Sequence, residues 1–231
     1  MKCNGHRRWR MWLSGQIALA GLALVLFAPV SVTAQTFGLT AQEAAMLPEY
    51  CKYTQSFRSL VEGGNNPEKI RQWSAILGGI FNHMHHYCDG LVDVNFAKLF
   101  ARTEAERRPR LSTSLTQFDY VIQRSEPTEK MLPEFYTKKG ESLIALGNGP
   151  LAIVELNRAI ELKPDYWPPY AAQSDYYKKT GNIKLAREIL QQGLEASPDA
   201  KALTRRLSEL DTVKDNSRSA SGAQKKAADP K

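Results

Sequence analysis

The chain has 231 residues, 42% of them hydrophobic and 24% charged, which excludes collagen-like, fibrous and wholly disordered classes. Its formal charge of +7 sits at the ends: residues 1–34 hold Lys2, Arg7, Arg8 and Arg10 and no acid, and residues 211–231 add about +2, so 35–210 carries only about +1. A body this close to neutral argues against a nucleic-acid-binding domain, which would show a clustered basic face.

Residues 1–34 read as an export signal, with a basic start, an apolar run from Ile17 to Val30, and small residues at Val32-Thr33-Ala34 that predict cleavage after Ala34. The run of 14 residues is short for a spanning helix, which needs about 20, so the only membrane contact expected is this segment if it stays uncleaved. The chain is therefore expected in the periplasm or outside the cell.

Residues 35–90 read as an N-terminal helical capping segment. Thr40 and Glu43 make a capping box, and Pro48 restarts a second helix carrying Tyr50, Cys51, Tyr53 and Phe57. Gly63 to Asn66 is a loop, and Pro67 opens a helix whose apolar face is Ile70, Trp73, Ile76 and Leu77. Then comes a run holding His83, His85, His86 and Cys88, three histidines within four residues. These side chains could ligate copper or zinc, or serve redox chemistry. The competing reading is a Cys51–Cys88 disulfide in an oxidising compartment, with the imidazoles packed against Tyr87, Phe81 and Trp73, which with Ile76 would cover the first repeat. The sequence favours the disulfide, and no cofactor is expected.

Leu91 to about Glu106 is predicted as a helix, Arg107-Arg108-Pro109 as a turn, and Ser114, Phe118 and Val121 as one face of the next helix, together a degenerate helix pair over 91–126. Two clearer pairs follow at 133–164 and 167–197, offset by 34 residues without a gap. Tyr136, Gly140, Leu143, Gly147, Asn148, Ala152, Leu156, Ala159, Pro164 and Asp165 align with Tyr170, Ser174, Tyr177, Gly181, Asn182, Ala186, Leu190, Gly193, Pro198 and Asp199. Ala200 to Leu210 is a capping helix, and the polar stretch 211–231 is expected as a disordered tail. Nothing alternates with period two, so the fold class is all-α.

The period and the small, large, small spacing resemble the tetratricopeptide repeat family, with Lys139 and Gln173 standing where leucine is usual. The His-His-Tyr-Cys run is similar to a segment of exported bacterial members of that family. The resemblance implies a short α-solenoid whose concave groove holds a protein or peptide partner of the cell envelope. Carried onto this sequence, it implies groove residues Thr137, Glu141, Ile144, Ala171, Asp175 and Lys178. No phosphate-cradling glycine loop, nucleophile elbow or two-cysteine redox motif is present, so a non-catalytic scaffold is the expectation, with metal handling by the histidine run as the alternative.

Overall fold

A computed structural model describes residues 39–212. The predicted export segment 1–34 and most of the predicted tail, 213–231, lie outside them. Among the described residues there are helices and turns but no strands, and the all-α solenoid is what the chain forms.

α1 is Ala41–Ala45, opened by the expected box: Glu43 N–H donates to Thr40 Oγ1 at 3.2 Å and Thr40 N–H to Glu43 Oε2 at 2.9 Å. The helix expected after Pro48 is only a 3-10 turn, Glu49–Tyr53. Cys51, Tyr53, Thr54 and Phe57 are all buried, and a regular helix would have turned some of them to water. α2 is Pro67–Leu77, capped by Asn66, whose Oδ1 accepts from Glu68 N–H and Lys69 N–H, each at 3.0 Å. Ile76 covers nothing and is 55% exposed, a departure from its expected core role.

A second 3-10 turn, Gly78–His83, leads into α3, Met84–Leu99, and α4, Glu104–Arg124. The turn expected at Arg107-Arg108-Pro109 is helix instead, and the chain reverses before Thr103. Thr103 Oγ1 accepts from Glu106 N–H at 3.2 Å while Glu106 Oε2 accepts from Arg102 N–H at 2.8 Å, a cap strong enough to start the helix there. Pro109 and Ala105 are both exposed, so the Ala105 carbonyl that Pro109 leaves without a donor faces solvent.

α5 (Leu132–Ala145) with α6 (Gly149–Leu162), and α7 (Pro168–Lys179) with α8 (Ile183–Ala196), form the two regular hairpins. Their turns close with the same backbone bonds, and Asn182 alone adds a side-chain cap, accepting from Leu185 N–H at 3.2 Å. Gly147 and Gly181 take φ of 87° and 83°, and the N–H of Asn148 and of Asn182 closes each helix on the Leu143 and Tyr177 carbonyls at 2.8 Å. A last helix, α9, covers 201–212, so Asp211 and Thr212 are helical rather than tail, and Asp211 pairs with Arg187 of α8. α9 buries Leu203 and Leu210 against α8 and turns Lys201, Arg205 and Ser208 to water, the polar outer face a terminal element needs.

Small residues set the approach of paired helices. A Cβ on Gly140 would meet Leu156 Cγ at 2.7 Å, one on Gly90 would meet Phe118 Cε1 at 2.5 Å, and one on Gly193 would meet Leu203 Cδ1 at 2.7 Å. Lys139 replaces leucine by charge: its ammonium bridges Asp119 of α4 at 2.7 Å and Glu155 of α6 at 2.8 Å. Burial works against that charge, but the hydrogen bonds to Asp119 and Glu155 win and push the ammonium up. Gln173 fills the same slot one repeat on, donating to Asn157 Oδ1 of the preceding hairpin at 2.7 Å.

Candidate functional site

The first helix of each hairpin, α3, α5 and α7, and the cap α9 together line a groove of about 670 Å³. On α5 the lining residues Glu134, Lys138, Glu141 and Ile144 fall at i, i+4, i+7 and i+10, a single stripe. α7 adds Ala171, Ala172, Asp175, Tyr176 and Lys179, and Lys98 and Arg206 reach in from α3 and α9. Ala145, Ala171 and Ala172 keep the floor low and apolar, while Tyr166 and Trp167, where α7 begins, rise as a wall; Trp167 is 37% exposed.

The lining charges are partly paired. Glu141 takes both Lys98 at 3.5 Å and Lys138 at 3.2 Å, and Asp175 takes Arg206 through Nε at 3.1 Å and Nη2 at 3.0 Å. Glu134 Oε1 accepts the buried Tyr87 hydroxyl at 2.5 Å. Burial, and then the Glu134 charge, push the phenols of Tyr50 and Tyr166 up. Such a trough can hold an extended or helical segment by apolar contact and rim charge.

Four of the six residues expected in the groove line it: Glu141, Ile144, Ala171 and Asp175. Thr137 does not, being fully buried with its hydroxyl donating to the Pro133 carbonyl at 2.7 Å. Lys178 points instead to Glu209 of α9 at 3.6 Å, and its neighbour Lys179 takes the groove position. Lys98, Glu134, Tyr166, Trp167 and Arg206 were not foreseen. The signal for Glu134 was present, since it heads the same i, i+4, i+7 stripe as Glu141.

Cys51 and Cys88 are disulfide-bonded with Cα atoms 5.7 Å apart, and both are fully buried. That removes Cys88 from any set of metal ligands. The histidines serve α4 instead. His86 Nδ1 lies 2.6 Å from Gln117 Oε1, and an amide oxygen there requires the proton on Nδ1. The His86 ring lies tilted against His85 at 4.3 Å and against Tyr120 at 3.8 Å, with the Arg124 guanidinium 4.7 Å from the Tyr120 ring and His83 5.8 Å from it. No group of three His, Cys, Asp or Glu side chains converges on a metal position among the described residues.

Burial raises the Asp89 carboxyl from the ordinary 3.8 to about 6, against a smaller lowering by His86. The folded chain thus holds that proton more tightly than the unfolded one. The contribution is complete below pH 3.8 and is lost as pH climbs to about 6. Asp89→Asn should therefore raise the thermal midpoint at pH 8 and leave it unchanged at pH 3.5, scans at the two pH values being the check. His85 runs the other way: burial lowers its imidazole, so its contribution fades as pH falls through 6.5.

Residues 168–200, which span α7 and α8, match the tetratricopeptide repeat family. The chain carries a tetratricopeptide repeat there, and α5 and α6 reproduce its turn, its small-residue contact and its 34-residue period. Repeats of this family generally bind protein partners and are typically non-catalytic scaffolds. No curated protein matches the chain.

Proposed function

We propose that the chain is an exported, non-catalytic adaptor that holds a peptide or protein segment of a cell-envelope partner in the groove between α5 and α7. The groove carries the reading: a low alanine floor, an aromatic wall and a charged rim, all on the faces left free by helix packing. The segment 1–34 sends it to the periplasm or beyond, and the buried Cys51–Cys88 bond suits an oxidising compartment. The nearly neutral body argues against a nucleic-acid partner.

Expression with its own first 34 residues tests the export half: N-terminal sequencing of the periplasmic fraction should begin at Gln35, and a cytoplasmic, unprocessed chain would contradict it. The binding half is tested by Ala172→Trp, which fills the floor. Partners recovered from envelope extract by the parent chain should be lost with this variant, provided its thermal midpoint is kept.

A further inference from the structure

The groove's charges are not evenly matched, and the mismatch has a direction. Of its three acids, Glu141 and Asp175 already hold cations, whereas Glu134 has no basic partner among the described residues. Glu134 is fixed on one side only. The fully buried Tyr87 donates to Oε1, which leaves Oε2 free at the groove surface. Tyr166 lines the same end, and Tyr50 lies close enough for the Glu134 charge to reach its phenol.

A half-buried carboxylate beside the groove-lining ring of Tyr166 attracts a cation by its charge, with the one ring to add to it, and repels an anion. The opposite end has the opposite excess. There Lys179, in the last turn of α7, pairs with no acid among the described residues, while midway along the groove Lys98 and Lys138 share the single carboxylate of Glu141. α7 runs in the same sense as α5. Its Tyr176 reaches the start of α6, just past the end of α5, where a Cβ on Gly149 would lie 2.1 Å from the Tyr176 hydroxyl, while Tyr166, before α7, feels the charge of Glu134 ahead of that of Glu141.

We propose that the groove selects a segment of fixed polarity: a lysine or arginine side chain on Glu134 against Tyr166, an apolar residue over Ile144 and Ala172, and a carboxylate on Lys179. This rests on the groove being the binding surface. At the 34-residue offset Lys179 is the counterpart of Ala145, eleven residues beyond Glu134 and roughly 16 Å along the helix, so the basic and acidic residues of an extended ligand stand about four or five positions apart.

Random dodecapeptides displayed on phage and panned on the purified chain provide the test, with Ala172→Trp as the filled groove and thermal midpoints confirming that each variant folds. Enriched peptides should carry Lys or Arg about four or five residues from Asp or Glu with an apolar residue between, and should lose binding to Ala172→Trp. For one such synthetic peptide, Glu134→Gln should weaken binding about tenfold, Tyr166→Ala should weaken it too, and Tyr166→Phe should restore it. Groove-dependent peptides without a basic residue, or an affinity unchanged by Glu134→Gln, would overturn the proposal and leave the groove reading standing. Peptides that bind Ala172→Trp equally well, or no enrichment at all, would overturn the groove reading itself.

Discussion

Gly140→Trp should lower the stability of the folded chain by about 1–3 kcal/mol or more, read as a shift of the urea midpoint. The α5–α6 contact is the reason. Even a Cβ at this position would stand 2.7 Å from Leu156 Cγ, 2.8 Å from Leu156 Cδ2 and 3.3 Å from the Ala152 carbonyl oxygen. Leu156 is fully buried and Ala152 is on the facing helix, so the indole has no open side to occupy and α6 must move away. A graded series sharpens the result, with Gly140→Ala losing less than Gly140→Trp and Leu162→Trp, on the exposed side of α6, losing nothing measurable. Equal midpoints for Gly140→Trp and the parent would mean that the helices do not pair in this register.

Replacing Cys51 and Cys88 together by serine should cost about 2–4 kcal/mol. The bond closes a loop with a sequence separation of 37, for which the loss of unfolded-chain entropy gives about 4 kcal/mol at 25 °C as an upper figure. The packing adds to this, because both sulfurs lie at 0% exposure beside Phe57, and two hydroxyls there would be buried without assured partners. The damage should be local at first. Amide exchange should rise over residues 49–83, which the bond ties to α3, before it rises in α5 to α8. Mass spectrometry of the unreduced mature chain provides the chemical check, and two alkylatable thiols would contradict the bond.

The repeats were legible because what defines them is local: a glycine opposite a leucine, a glycine at positive φ ending the first helix, and a proline ending the second. The reversal before Thr103 was not, because Pro109 is the louder signal in the sequence, although the Thr103 and Glu106 cap decides the outcome. The groove was legible in part. A residue one step off the lining stripe turns by about 100°, which is why Thr137 goes into the core while Lys138 lines the groove, and Lys178 finds Glu209 while Lys179 does not. The Tyr87 hydrogen bond to Glu134 joins side chains from separate hairpins, and the aromatic wall lies in the connection before α7, so no spacing within one helix announces either.

Site-resolved photo-crosslinking in the living cell bears most directly on the claim that the concave groove is the binding surface. A benzophenone side chain placed at Ile144 or Ala172 lies in the groove, whereas the same group at Leu151 or Val154 lies on the exposed face of α6. Discrete protein adducts from the first two positions and none from the last two are the predicted result. Adducts from Leu151 and Val154 with none from Ile144 and Ala172 would place binding on the outer face and contradict it.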